Sequence, residues 1–379
     1  MNNTIFLNTE LNQIDISNTI KLLIYKENPS LLEKVDFDDE NVFLEPLIFA
    51  YFNSKNENLF PPEMLNEIMQ GYFIEKGELE IKFLFNTKGI AYIPVLGYFK
   101  EGEKRPFESI TIVDDTNIEV LKYSLKLFQD IFRTTSGNLI SNDEIKIDAE
   151  LFEKNIVPLS NAFQFIKKSS SEHFKLIEQC CKKCVLFKTN TENTNSFATI
   201  YAHGTAFFNV YQDDYDEVFF VDDIAHQTGH IILTTLCNDK KAIFKNDENQ
   251  NIGEILEQKD PRSIYVLLHA FYTYYTTLMC LDNCLNNKLF NEKQQMEATG
   301  RIGFYLGKCS RDIEILEELI IHFSGIENIL TGAGINLYTL IKAKFIEVFE
   351  KWNPLIKHFD YSNQPYNFTF KSFAEINTK

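Results

Sequence analysis

The sequence predicts an α+β protein: a mostly helical C-terminal half, and an N-terminal half that contains a small antiparallel sheet. Three observations carry that expectation. Period-two alternation is gathered between residues 78 and 112, and apolar spacing of three and four dominates after residue 150. Between them lies the polar, turn-forming stretch "TTSGNLISND" at 134–143. It sets the expected boundary between a region 1–140 and a region 141–379.

Residues 14–72 read as helical, with Pro61 and Pro62 suited to a helix start. From 78 onward "ELEIKFLF", the turn "NTKG" and "IAYIPVLGYF" read as a hairpin, followed by a strand in "ESITIV". "TNIEVLKYSLKLFQDIF" has helical spacing, with Thr116 as its N-cap. Helical runs are expected at about 150–167 and 172–184. Two short β pieces, "FATIYA" and "TAFFNVYQ", are joined through His203 and Gly204. A long helix then begins near Asp216, and a polar hairpin-like region at 238–260 separates it from a second, "PRSIYVLLHAFYTYYTTLMCLDNCL". Further helices are expected at 290–308, at 310–323 and after "LTGAG". There is no internal repeat.

The 379 residues, 44% of them hydrophobic, are enough for one large core or two smaller ones. No stretch approaches the roughly 20 consecutive apolar residues of a membrane span, and "MNNTIFLNTELNQ" lacks the basic and apolar regions of a signal peptide. The expectation is therefore a cytoplasmic protein with no membrane partner. A net charge of −17 disfavours nucleic acid, because so acidic a surface repels phosphate backbones. Seven cysteines point to reduced thiols, and "CCKKC" (Cys180, Cys181, Cys184) has no second Cys or His pair at zinc-ribbon spacing.

The chemistry gathers in "DDIAHQTGHIILTTL" at 222–236. On a helix, His226 and His230 share one face about 6 Å apart, so both imidazoles can address one metal ion. The apolar run Ile231 to Leu233 implies a buried helix, Asp222 and Asp223 just upstream and a third histidine downstream favour a metal, and Gly229 would let another element approach beside the second histidine. Two core histidines bonded to backbone carbonyls are the plainer alternative. The spacing is that of the zinc-protease motif HExxH, but Gln227 stands where the general base would be, and an amide cannot take that proton. A non-haem iron(II) oxygenase needs only three protein ligands and open positions for its co-substrates.

The candidates for a third ligand are His269, Asp223 and Glu297. His269 shares a helix face with Tyr265, Tyr272 and Thr276. An oxo acid such as 2-oxoglutarate also requires a cation for its distal carboxylate, for which Arg262 and Arg301 are the candidates. Phe271, Tyr272 and Tyr275 are candidate pocket walls. The strand "TAFFNVYQ", with Phe208, is a candidate edge for pairing with an extended substrate peptide.

Four pieces, "HGTAFFN" (203–209), "AHQTGH" (225–230), "DPRSIYVLLHAFYTYY" (260–275) and "LTGAG" (330–334), carry a resemblance. In order and spacing the C-terminal half resembles the HEXXH-motif peptide-modification proteins, iron- and 2-oxoglutarate-dependent peptide β-hydroxylases of ribosomal peptide biosynthesis. The resemblance implies Fe(II) on His226, His230 and His269, 2-oxoglutarate held in part by Arg262, and hydroxylation at a β-carbon of a precursor peptide. Gln227 departs from the family's glutamate. Two other readings of the residues stand beside this one: a zinc metallopeptidase relative, active or degenerate, with Gln227 in place of the catalytic glutamate, and a non-catalytic peptide-binding protein.

Overall fold

The computed structural model describes residues 2–54, 60–134 and 136–378; Thr135, within the expected linker, lies outside them. The chain is α+β and helix-dominated toward its C-terminus. It forms two compact units that interleave in sequence, and the expected boundary at 140 falls inside the first. That first unit comprises residues 1–160, 175–215 and 234–236, and the second comprises 161–174, 216–233 and 237–379.

In the first unit, α1 (Asn2–Glu27), α2 (Glu40–Phe43), α3 (Pro46–Ser54) and α4 (Glu63–Met69) precede a two-stranded antiparallel sheet, β1 (Ile90–Ile93) and β2 (Gly97–Lys100). The hairpin therefore lies within "IAYIPVLGYF", turning at Pro94 to Leu96, and "ELEIKFLF" is not its first arm. The reason is local. The carboxylate of Glu67 on α4 accepts hydrogen bonds from the backbone N–H groups of Lys82, Phe83 and Leu84 at 2.9–3.2 Å, and so takes donors that a strand ladder would have used.

A second, five-stranded sheet has the order β3-β4-β5-β7-β6: β3 (Thr111–Ile112), β4 (Glu119–Leu121), β5 (Lys183–Phe187), β6 (Phe197–Ala198) and β7 (Thr205–Asn209). The pairs β4/β5 and β5/β7 are parallel, while β3 and β6 pair antiparallel at the edges. Two segments expected to be helical contribute strands here. Thr116 closes the β3–β4 turn, its hydroxyl accepting from Ile118 N–H and donating to Val113 O, so "TNIEVLKY" supplies β4 and no helix follows directly. The helix expected to run to 184 ends at Cys180, and "KCVLF" becomes the fully buried centre of the sheet. A central parallel strand is buried on both faces, so it has the unbroken apolar texture that a helix core also shows. Its one charge, Lys183, is held by Glu119 at 2.7 Å and Glu45 at 3.2 Å, with Tyr92 hydroxyl 3.0 Å from its amine.

Most of α5 (Ala149–Ser169) belongs to the first unit, α6 (Ser171–Cys180) crosses between the two by sequence, and α7 (Glu217–Leu236) opens the helical second unit. It continues through α8 (Ile252–Leu256), α9 (Ile264–Asn286), α10 (Glu292–His322), α11 (Gly332–Ile356) and α12 (Phe370–Asn377). The segments expected at 290–308 and 310–323 are one helix, begun by a capping box between Asn291 and Gln294. By length and composition α9 could cross a membrane; most of its apolar stretch is buried within the fold. It packs against α10 and α11. "LTGAG" has a local structural role as well: Thr331 caps α11 by accepting from Gly334 N–H, and a Cβ on Gly334 would stand 2.4 Å from Ile243 O.

His203, just before β7, is buried, with its Nε2 3.2 Å from Thr235 Oγ1. Burial depresses its pKa to about 4, against about 6.5 in an unfolded chain. The unfolded state then takes up a proton that the folded state refuses, so stability present above pH 6.5 is lost as pH falls toward 4. In urea unfolding, His203→Gln should flatten the profile across this window by about 1.4 kcal/mol per pH unit. Parallel profiles for the two proteins would contradict this assignment.

Candidate metal centre

The candidate site lies within the second unit, on α7, α9 and α10. Asp216 starts α7 by accepting from Val218 N–H at 2.9 Å, which sets the helical register of Asp222, Asp223, His226, Gln227 and His230. Gly229 then allows α9 to come close: a Cβ at this position would stand 2.7 Å from Thr276 Oγ1 and 3.4 Å from Thr273 Cγ2. In the space so left, the Thr276 hydroxyl donates to Ala225 O at 2.8 Å, a side-chain bond from α9 to the α7 backbone. Each hydroxyl and carbonyl involved is buried and paired, so the close approach does not leave polar groups stranded.

This approach brings the imidazoles together. Nδ1 of His230 lies 3.1 Å from Nδ1 of His269, with the rings stacked at 20° and centroids 5.4 Å apart. The His226 ring centroid is 5.1 Å from that of His230, one helical turn away. Of the proposed third ligands, only His269 stands beside the pair with open nitrogens. Glu297 is bound by Arg301 Nε and Nη2 at 3.0 and 2.8 Å, and Asp223 accepts from Gln227 Nε2 at 3.0 Å.

Among the described residues, no group of three His, Cys, Asp or Glu side chains is already assembled at metal-holding geometry. Two of the donors stand at the spacing of ligands to one ion. Two imidazole nitrogens about 2.1 Å from one metal stand roughly 3–3.4 Å apart, which is the His230–His269 separation. Nδ1 of His226 and Nε2 of His269 are buried and have no hydrogen-bond partner among the described residues. Such orphaned atoms carry a cost, and a cation held between the two Nδ1 atoms would not reach Nε2 of His269 across its ring. Burial also holds all three rings neutral, His230 near pKa 4 and His269 near 3, with His226 depressed further by His230 and Lys308. Neutral imidazole is the form a metal requires.

Gln227 is buried, and its amide donates to Asp223. A glutamate here would set a second carboxylate against Asp223 in a desolvated place, so the local electrostatics favour the amide.

The two arginines are not open forks. Arg262 holds Asp260 through Nε and Nη2 and Asp312 through Nη1 and Nη2, all within 2.8–3.2 Å. Arg301, buried beside the rings of Phe219 and Phe368, holds Asp222 at 2.7 Å and Glu297 at 2.8 Å. With both carboxylates ionised, each set carries a net negative charge, so a further carboxylate would meet repulsion at either arginine.

The cation that spacing arguments missed is Lys308, which lies on α10 two turns beyond Arg301. It donates to Tyr366 O at 2.6 Å, lies over the rings of Tyr366 and Phe304, and makes no ion pair among the described residues. Burial lowers its pKa to about 8, and its charge is felt by His226 and Asp222. Tyr305, one turn before it, stacks obliquely 6.1 Å from His226. Only the i+3 and i+7 spacing to Tyr305 and Arg301 could have pointed to this lysine.

The remaining expected contacts lie in packed interior. Tyr272 and Tyr275 are buried against each other with ring centroids 5.8 Å apart, and Phe271 packs on Tyr338. Phe208 is fully buried in the first unit, and its strand β7 is paired on both sides, by β5 and β6. β6 covers β7 only at Ala206 and Phe207. The "CCKKC" cysteines are buried thiols.

No family model matches the chain, and no curated protein matches it at a significant level.

Replacing Gly229 by Ala tests the close approach. Helix propensity alone would stabilise the variant by up to about 1 kcal/mol. The clash with Thr276 should outweigh that gain and leave a net loss of about 1–2 kcal/mol in thermal or urea unfolding. A more stable Gly229→Ala protein would show that the two helices do not meet at this glycine.

Proposed function

We propose that the chain is an Fe(II)- and 2-oxoglutarate-dependent oxygenase that hydroxylates a β-carbon of a residue in a ribosomally made peptide. The observation that carries the metal part is the 3.1 Å approach of His230 Nδ1 to His269 Nδ1, with His226 one turn away and its own Nδ1 left without a partner. The co-substrate and the peptide rest on the resemblance carried by "HGTAFFN", "AHQTGH", "DPRSIYVLLHAFYTYY" and "LTGAG".

His226, His230 and His269 would hold the metal by neutral imidazole nitrogens, a set that leaves coordination positions open. Ferrous iron would supply the coupling of O2 and 2-oxoglutarate to C–H hydroxylation, giving succinate, CO2 and the alcohol. The chain's own part is to bind, orient and exclude water. Lys308 is the residue suited to the distal carboxylate of the oxo acid, because its ammonium makes no ion pair among the described residues. The rings of Tyr274 and Tyr305 lie beside His226, and Phe304 lies beside both Tyr305 and the Lys308 ammonium. Gln227 serves this reading and weakens a hydrolytic one, since its amide is a donor to Asp223 and offers no base.

Anaerobic iron titration with a succinate readout tests the proposal. One iron per chain is expected, with 2-oxoglutarate turnover to succinate. His226→Ala, His230→Ala and His269→Ala should each weaken iron binding by more than about 100-fold. Stoichiometric zinc with peptide cleavage, or no stoichiometric metal at all, would overturn it. Lys308→Gln should leave iron stoichiometry unchanged and weaken 2-oxoglutarate binding by about tenfold in calorimetry. Unaltered oxo-acid affinity would remove Lys308 from the site.

A further inference from the structure

Two complementary polar atoms stand unmatched on one face of α7. Nδ1 of His226 is buried without a hydrogen-bond partner among the described residues, and so is Oδ1 of Asp222, four residues earlier. Side chains at i and i+4 lie one above the other on a helix, and the later one leans back toward the earlier. This brings the His226 ring within reach of Asp222. The two residues also share their neighbours. The ring of Tyr305 stands 6.1 Å from that of His226, and its hydroxyl lies beside the Asp222 carboxyl. The charge of Lys308 is felt by both groups. Arg301 holds the other oxygen of Asp222, its Nη1 donating to Oδ2 at 2.7 Å.

We infer that Asp222 is the positioning residue of His226: its Oδ1 accepts a hydrogen bond from Nδ1–H of the ring, which gives Nε2 to the metal. This role rests on the metal centre proposed above. A neutral imidazole has a single N–H, and the nitrogen bound to a metal cannot carry it. Nε2 is the open choice for the ion, because the side chain is only half-buried while Nδ1 is wholly buried. A buried Nδ1–H then needs an acceptor, and Oδ1 of Asp222 is an unused one a helical turn away. Charge favours the same pairing. The Arg301 guanidinium faces two carboxylates, those of Asp222 and Glu297, so negative charge is left over beside the ring. A carboxylate on the far nitrogen fixes an imidazole's tautomer and orientation and strengthens it as a ligand. Asp223 is engaged elsewhere, its carboxylate accepting from Gln227 Nε2 at 3.0 Å. His230 and His269 differ from His226: their Nδ1 atoms face each other, so those two rings would offer Nδ1 to the ion.

Long-range proton–nitrogen NMR of the full chain loaded with Zn(II), a diamagnetic probe, reads which nitrogen of each histidine carries hydrogen and which carries metal. His226 should show hydrogen on Nδ1 and metal on Nε2, whereas His230 and His269 should show metal on Nδ1. Asp222→Asn keeps an oxygen for Arg301 but removes the charge. It should weaken Zn(II) binding by about tenfold and speed solvent exchange of the His226 N–H, leaving the N–H groups of His230 and His269 as in the wild type. A purely structural role for Asp222 would disturb all three rings together. Metal on Nδ1 of His226 would overturn the inference, and the wild-type spectrum decides that point even if the variant folds poorly. A folded Asp222→Asn protein with wild-type exchange at His226 would overturn it as well. A chain that binds no Zn(II) would overturn the metal centre itself, and the role of Asp222 with it.

Discussion

The space left by the missing side chain of Gly229 governs the site. Because nothing projects there, α9 reaches α7 closely enough for Thr276 to donate to Ala225 O, and that bond stands about a turn and a half from the histidine contact. Imidazoles on separate helices reach one metal only if the helix axes are close and their register is fixed. Gly229 permits the first condition, and the Thr276 bond supplies the second. The separation of His230 and His269 follows from backbone packing as well as from side-chain torsion, which gives a site of this kind its rigidity.

Charge forms a second layer around the first. Two arginine sets, Arg301 with Asp222 and Glu297 and Arg262 with Asp260 and Asp312, tie α10 to α7 and to the start of α9. Buried ion pairs add little net stability, but breaking one leaves an uncompensated charge, so they hold the helices to a single arrangement. They also consume the carboxylates near the histidines. Glu297 and Asp222 are thereby withheld from a metal, and a set of neutral imidazoles remains. The ammonium of Lys308 lies outside these sets and makes no ion pair among the described residues.

Legibility in the sequence followed the range of the interaction. The His226/His230 pair and the role of Gly229 were visible because helix periodicity alone places them, and His269 because it lay on a face with other polar and aromatic groups. The arginine partners were not visible: Asp312 is 50 residues from Arg262 and Asp222 is 79 from Arg301. The α+β class and an antiparallel hairpin could be read from alternation, but the five-stranded sheet could not. "TNIEVLKY" has apolar spacing that suits a helix, and it becomes β4 because β5 lies alongside it. "ELEIKFLF" alternates as a strand should, yet Glu67 takes its backbone donors. In both cases a tertiary partner decided between local conformations of similar energy.

X-ray absorption at the iron edge, on protein loaded with Fe(II) without oxygen, tests the central claim most directly, because it counts imidazoles around the metal. Three imidazole nitrogens at about 2.1 Å, falling to two in His269→Ala, are the predicted result. A shell of oxygen donors alone, or a spectrum that His269→Ala leaves unchanged, would show that α7 and α9 do not share a metal.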